Sequence, residues 1–413
     1  MTTRVSNSLR KRSTRTPPTD ILCSILLRLP VKSLLRLQSV CKERRSLIQD
    51  SHFRHSYSHK ERVIVVSGRH NYSNINERRI RVSSFSDDFW LENIYDFTKH
   101  LSFHKGTSFK KCVNVNVLGS CNGLVLLSLD SHIFLLNPST RHCTKVLEHK
   151  CLTDSIRRFD SGFCYDSSTG DYKVLLLFRD SSVIVASLRQ KEWREVSLPH
   201  YMLSVRASLH FHNIFHLVVD DAPFLNTNLD FTEHQEMVYF DPGSEKFELF
   251  PTPKVEEGAI DIMVALGVIE GCVSIALHDI CSIKVLAMKE YRVAESWVTL
   301  YTISHYDLCF RPFSHYSRIT FYSLKNNVLI LNLGHGDICA VDMKTKEAET
   351  VSIKIGDEEY EDIIDTCFYV ESLASPHVYA WIDEQHKQFS KKIKWIGPNL
   401  RKRMKKRRDD NMR

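Results

Sequence analysis

Gly119-Ser120-Cys121-Asn122-Gly123 sets a cysteine between two glycines, the pattern by which a thiol can be presented as a nucleophile. Such an elbow needs a strand before the cysteine and a helix after it, because a helix N-terminus lowers the thiol pKa. Leu124 to Leu129 is instead an apolar run without helical period, and Asn122-Gly123 is the strongest short signal for a hairpin turn. Cys121 therefore reads as a buried residue beside a tight turn. His210, His212 and His216 fall at period two on one face of an expected strand, and neutral imidazoles so placed can bind zinc or copper. Residues two apart on a strand stand ~7 Å apart, from a rise of ~3.3 Å per residue, which is poor spacing for one ion. They read as histidines of a packed strand. His52, His55 and His59 have the three-four spacing of a helix face, but their surroundings are polar and a solvated face accounts for them. Neither G-x-G-x-x-G nor G-x-x-x-x-G-K occurs, and Asp87-Asp88 and Asp220-Asp221 read as turn residues. The chemistry-bearing residues thus indicate no enzyme active site, no cofactor and no metal.

The elements that would position these residues are mostly strands. From Arg62 to about Trp381, short runs rich in Val, Ile, Leu, Phe and Tyr alternate with clusters of Gly, Asn, Asp, Ser and Pro. Five segments share one shape, an apolar strand, a polar charged turn and a second strand: FLLNPSTRHCTKV, VIVASLRQKEWREV, MVYFDPGSEKFELF, KVLAMKEYRVAESWVTL and ICAVDMKTKEAETVSI. Aligned on Asn137, Ser187, Asp241, Met288 and Asp342, they recur about every 50 residues. Between them lie further strand pairs, such as GFCYDSSTGDYKVLLLF and ITFYSLKNNVLILNL, each with a turn signal at its middle. A four-stranded unit repeated about every 50 residues predicts a kelch-like β-propeller of about six blades. Residues 62–110 would make a first blade, and the Cys367–Ala380 stretch would pair with it and close the ring.

Before this body, Thr19 to Phe53 predicts three short amphipathic helices. Ile21, Leu22, Ile25, Leu26 and Leu29 share one face of the first, Pro30 ends it and opens the second, and Val40, Cys41, Arg44, Leu47 and Ile48 mark the third. So small a unit cannot bury that many apolar side chains internally. A propeller that closes on itself needs no helical cap, so the surplus is free to meet another protein.

The stretch resembles an F-box, the adaptor-docking module of SCF ubiquitin ligases. Asp20, Ile25, Leu26, the run Leu29-Pro30-Val31-Lys32-Ser33-Leu34-Leu35-Arg36, then Val40, Cys41, Lys42, Arg45, Leu47 and Ile48 carry the resemblance. Pro17 stands where the family usually opens with leucine, and Arg44 where it has tryptophan. The body resembles the F-box-associated domain of plant F-box proteins in VLGSCNGLVLL (117–127), Asn137-Pro138-Ser139-Thr140-Arg141, GFCYDSSTGDYKV (162–174), Glu192-Trp193-Arg194, Phe240 to Phe247 and Met288 to Trp297. It departs at Asn213 and Leu217, where glycine and tryptophan are frequent. The resemblance implies a non-catalytic substrate-recognition subunit. Its helices would dock on a Skp-type adaptor, and through it on a cullin-RING ligase, while its propeller binds a protein substrate. Ile21, Ile25, Leu26, Leu29, Pro30, Leu34, Val40 and Cys41 are the expected adaptor-contacting side chains, with Lys32 and Arg36 at a polar rim. A protein-interaction scaffold whose F-box no longer binds an adaptor is the alternative that Pro17 and Arg44 favour.

Composition agrees with a chain of this kind. It has 413 residues, 43% apolar and 25% charged, an ordinary globular balance. No apolar run reaches the ~18–20 residues of a membrane helix, since Ile262 to Leu277 is interrupted by Gly267, Glu270 and Gly271. The basic N-terminus is followed by no apolar segment, so no secretory signal is expected. Twelve cysteines without paired spacing predict reduced thiols in the nucleus or cytoplasm. The net charge of +7 is concentrated in the tails, leaving a mildly acidic body and no broad nucleic-acid-binding face. Arg401, Lys402, Arg403, Lys405, Lys406, Arg407 and Arg408 form a candidate nuclear-import signal, bipartite with Lys391, Lys392 and Lys394. The expected organisation is a disordered basic lead-in over 1–18, the helical module over 19–60, the propeller over 61–384 and a basic tail over 385–413.

Overall fold

The computed structural model describes residues 18–50, 53, 56–57, 61–69, 79–85, 91–96, 115–153, 158–178, 182–197, 204–212, 214–220, 235–254, 262–278, 282–304, 319–323, 328–332, 338–345, 348–350, 353–355 and 359–380. Three helices come first: α1 (Thr19–Leu26), α2 (Val31–Leu37) and α3 (Lys42–Gln49). Asp20 in the first turn of α1 complements the helix dipole. Pro30 caps the start of α2 with φ −58° and ψ 150°, one position earlier than the first-turn place the sequence suggests. Asp50 ends α3, and its Oδ1 accepts the Phe53 amide at 3.1 Å, turning the chain away from the helix axis. Leu26, Val31, Leu34 and Ile48 bury together with Phe53 and Tyr57. Tyr57 Oη donates to the Leu29 carbonyl at 2.8 Å and satisfies a backbone group beyond the end of α1.

The strands that follow build six antiparallel blades, five of four strands and the first of five. The first contains β1 (Glu61–Arg69), β2 (Arg79–Phe85) and β3 (Leu91–Asp96). The second is β4 (Val115–Cys121), β5 (Leu124–Leu129), β6 (His132–Asn137) and β7 (His142–Glu148); the third is β8 (Arg158–Asp166), β9 (Asp171–Phe178), β10 (Val183–Ser187) and β11 (Trp193–Val196). The fourth is β12 (Ser204–Phe211), β13 (Ile214–Asp220), β14 (Gln235–Asp241) and β15 (Lys246–Phe250); the fifth is β16 (Ile262–Ile269), β17 (Cys272–His278), β18 (Ser282–Met288) and β19 (Trp297–Ser304). The sixth is β20 (Ile319–Ser323), β21 (Val328–Asn332), β22 (Ile338–Asp342) and β23 (Ala348–Thr350). A parallel pairing of β16 with β20 joins the fifth and sixth blades into one sheet.

After the short β24 (Ile353–Ile355), β25 (Glu359–Val370) returns to the start of the domain and pairs with β1 from Glu61↔Val370 to Gly68↔Asp362. The first blade is therefore made from both ends of the body. The expected closing stretch, Cys367–Ala380, is displaced: the strand begins earlier, at Glu359, and stops at Val370. Residues 371–380 run on without strand pairing and end in a 3-10 turn, Pro376–Tyr379, because their polar groups bond to blade turns instead of a ladder. The innermost strands stand side by side, β25 against β4, β4 against β8, β8 against β12, β12 against β16 and β16 against β20.

Burial follows from this geometry. A middle strand is covered on both faces by neighbouring blades, so every residue of β5 and of β9 is buried and no alternation survives. Outer strands face solvent, and in Lys246–Phe250 Phe250 alone is buried. The repeat has a chemical basis at its turns. Asn137, Ser187, Asp241, Met288 and Asp342 each end the third strand of their blade. The Asn137 Oδ1 accepts the amides of Ser139 and Thr140 at 2.9 and 3.2 Å, and Ser187 Oγ accepts those of Arg189 and Gln190 at 3.2 and 3.0 Å. Asp241 and Asp342 do the same for the amides two and three residues on. Four residues after the cap, Arg141, Lys191, Glu245 and Arg292 all take a left-handed φ of 54–66°, which bends the chain into the fourth strand.

Candidate functional site

The helical module presents its apolar side chains to two different surroundings. Ile21 and Ile25, one turn apart on α1, are 53% and 51% exposed, and Val40 between α2 and α3 is 62% exposed. Pro30, Lys32 and Arg36 are exposed too, and Leu29 and Cys41 are half-buried. Leu26 and Leu34 belong elsewhere: at 2% and 0% exposure they lie inside the module's own core. These two of the eight expected adaptor contacts therefore present no surface; they hold the helices that display the others. Arg44 is half-buried on α3. An apolar ridge with cationic side chains beside it can bury against an apolar partner surface and offer the partner's acidic groups a rim contact.

The module's surplus is not all left for a partner. Leu373, three residues before the Pro376–Tyr379 turn, is 4% exposed and packs in the same core as Leu26, Val31, Leu34 and Ile48. On either side of it, the Ser372 and Ala374 carbonyls accept from Asn137 Nδ2 at 3.1 and 2.7 Å, and Ser372 Oγ donates to the Gly123 carbonyl at 3.2 Å. Gly123 has φ +69°, and a Cβ there would meet Ser372 Oγ at 2.2 Å, so the turn must be glycine for this segment to approach. Tyr369 Oη accepts the Ser139 amide at 3.0 Å. Further on, Lys191 Nζ donates to the Tyr379 carbonyl at 2.6 Å, and the Tyr379 ring stands edge-on to Tyr172 at 5.3 Å. Sequence reasoning misses Leu373, Ser372 and the Asn137 amide as a unit, because no local spacing links positions more than 230 residues apart.

Cys121 is the last residue of β4, and Asn122 and Gly123, with φ of 49° and 69°, turn the chain directly into β5. No helix follows it. Burial, and then the nearby Cys164 thiol, push the Cys121 thiol well above its ordinary pKa, so it is held as an uncharged thiol. His210, His212 and His216 do not share one strand face, because the hairpin turn falls among them: His210 is on β12, His212 in the turn and His216 on β13. His210 Nε2 accepts the Phe163 amide of the third blade at 2.9 Å, and His216 Nε2 bonds with the Tyr291 hydroxyl at 2.9 Å. Burial drives both imidazoles down to a pKa of about 3 and keeps them neutral. Gly119, at φ +144°, allows the His210 contact, since a Cβ there would meet Nε2 at 2.5 Å. These histidines lock neighbouring blades together.

Asp220 is also corrected by the fold. It ends β13, 1% exposed, and binds the Arg206 guanidinium at 2.8 Å and the Gln235 amide at 2.9 Å, rather than forming a turn. A second ionic contact spans the third and fourth blades: Lys173 Nζ lies 3.0 Å from Glu245, which also binds Arg194. Burial opposes ionisation of Glu245, but bonds from Arg194 and Lys173 outweigh it and hold the carboxyl below its usual pKa. His52, His55 and His59, Asp87-Asp88, Asp221, Pro17 and the basic run Arg401–Arg408 lie outside the described residues.

Residues 18–56 match the F-box domain, and residues 73–376 match the F-box associated beta propeller domain. The F-box protein CPR1 of Arabidopsis thaliana is 28% identical over 377 residues, covering 82% of this chain and 85% of that protein. An F-box/kelch-repeat protein of the same plant is 26% identical over 307 residues, covering 69% of this chain and 79% of its own length.

Proposed function

Because this chain belongs to the F-box proteins that carry an F-box associated beta propeller domain, we propose that it is the substrate-recognition subunit of an SCF-type ubiquitin ligase. The helical module docks on a Skp-type adaptor, which bridges to the cullin scaffold. The propeller binds a protein substrate. The subunit itself makes and breaks no covalent bond. It contributes proximity, raising the effective concentration of a substrate lysine at the ubiquitin-charged conjugating enzyme.

The observation that carries this reading is the pair Ile21 and Ile25, half-exposed on a helix whose other apolar side chains are already packed. Each is about half exposed, so burying what remains is worth on the order of half the ~1.5–3 kcal/mol of a fully exposed isoleucine. A ridge of Ile21, Ile25 and Val40, flanked by Leu29 and Cys41, supplies the desolvated centre of such an interface, with Lys32 and Arg36 at its edge. Arg44, which stands in α3 where the family usually places tryptophan, is the observation that favours the second reading, an interaction scaffold without an adaptor.

The deciding experiment mixes the purified full-length chain with purified Skp-type adaptor and measures complex formation by titration calorimetry. Saturable one-to-one binding is expected. A folded chain that gives no heat and no complex on size exclusion would sink the ligase reading and leave the scaffold one.

A further inference from the structure

We infer that Asn137 and Leu373 are positioning residues that fix the angle between the helical module and the propeller. The inference rests on the reading above, in which the two parts hold different partners. The module is joined covalently to the propeller ahead of β1. One covalent tether leaves a module free to swivel; a second attachment removes that freedom. Leu373 is the second attachment. It comes from the far end of the body, beyond β25, and is buried among Leu26, Val31, Leu34 and Ile48 of the helices.

The segment carrying Leu373 is itself clamped to the propeller. Its neighbours Ser372 and Ala374 offer their carbonyls to one side-chain amide, that of Asn137. Asn137 is fully buried and occupies the cap position that recurs in later blades. There the other caps are Ser187, Asp241 and Asp342, which accept the turn amides; of these Ser187 also donates, through its one hydroxyl hydrogen, to Asp171 of its own blade. A carboxylate has no hydrogen to donate. Asn137 does both jobs: its Oδ1 accepts within the turn while its Nδ2 donates outward to the closing segment. An amide is the one small side chain whose two ends can serve as acceptor and double donor at once. Blade two, the closing segment and the helical core are thereby connected through contiguous packed and hydrogen-bonded groups. In a subunit that acts by proximity, a fixed angle keeps the substrate at a fixed place relative to the adaptor, and a free hinge dilutes it.

The test uses the full-length chain with spectroscopic labels on genetically encoded residues at Ser46 on α3 and Gln190 in the third blade, both exposed. The distribution of distances between them is recorded for the parent, Leu373→Ala, Leu373→Met and Asn137→Ser. Serine keeps a turn cap, as Ser187 does, but cannot donate to both carbonyls. Leu373→Ala and Asn137→Ser are expected to broaden the distribution at least twofold, while Leu373→Met keeps the parent's width. Adaptor affinity should change less than threefold in Asn137→Ser, whose substitution leaves the helical core untouched. A parental width in Asn137→Ser overturns the inference, and so does broadening in Leu373→Met equal to that in Leu373→Ala. Should Leu373→Ala unwind the helices, Asn137→Ser alone decides. The distances are measured without adaptor, so a failure of adaptor binding would count against the ligase reading and not against this one.

Discussion

His210 and His216 are neutral because burial makes their charged forms costly, and this fixes the sign of their contribution to stability. In the unfolded chain a histidine takes up a proton near pH 6.5, whereas in the folded chain these two do so only near pH 3. Below pH 6.5 the unfolded state binds more protons, so stability is fully present above that pH and falls as the pH drops toward 3. Denaturant melts at pH 7 and pH 5 should differ by up to about 2 kcal/mol for each histidine, and His216→Gln should reduce the difference. A pH-independent stability would remove the assigned environment. Cys121 gives a second test at this scale. Its buried, uncharged thiol should resist iodoacetamide at neutral pH in the folded chain and react at the rate of an ordinary cysteine in denaturant. Fast labelling of the native protein would revive the nucleophile. A third contrast separates neighbours. Leu26→Ala should destabilise the module by about 2–5 kcal/mol, whereas Ile25→Ala should leave its helical signal unchanged and weaken adaptor binding ten- to a hundredfold. Spacing alone puts Ile25 and Leu26 on one face, because apolar residues cover more than half of α1's circumference. Which of them faces inward is settled by where α2, α3 and Leu373 pack, and that is information the spacing does not contain.

Elements whose logic is local are legible in the sequence. The recurrence of Asn137, Ser187, Asp241 and Asp342 marks strand ends correctly because a side-chain oxygen that accepts the amides two and three residues on depends only on the adjoining chain. Helices α1 to α3 are legible for the same reason: Pro30 and the apolar spacing act within a few residues. The histidine strand is misread where locality fails, since Asn213 with His212 gives a weak turn signal and the period-two pattern runs on across the hairpin. Gly119 illustrates an element-level constraint that composition conceals. Its place in β4 is fixed by the His210 ring from two blades away and by a left-handed φ. Gly119→Ala should therefore lower the melting temperature by several degrees, more than the glycine-to-alanine exchange costs at an exposed strand site. A melt indistinguishable from the parent's would show that His210 can move aside.

For the whole molecule, the repeat spacing yields the number of blades, because each blade is one supersecondary unit of nearly constant length. It does not yield the join between the ends. β25 pairs with β1 across almost the whole body; the Gly356-Asp357 turn signal before Glu359 marks where the strand starts but not that it pairs with β1. The substrate is illegible for a different reason: recognition resides in loops, and a single sequence supplies no variation to compare. A chain shortened to end at Ile355 should test the join. It removes β25, one of the two strand partners of β1, and takes Leu373 from the helical core together with it. Such a chain should melt earlier and associate through its exposed strand edge, which thermal unfolding and size exclusion would report. A monomer as stable as the parent would mean that β2 alone suffices to hold β1.

The same join sets a schedule for biosynthesis. The helices and β1 leave the ribosome first, while β25 and Leu373 leave among the last of the described residues. At ~5–20 residues per second, the early elements wait on the order of tens of seconds for the partners that complete them. During that interval the helical core lacks Leu373, and β1 presents the edge that β25 will cover. Completion arrives in one late event, when a single incoming strand and the leucine behind it finish both the propeller and the docking module. An interrupted message therefore yields a chain defective in both parts at once, not a half-working receptor.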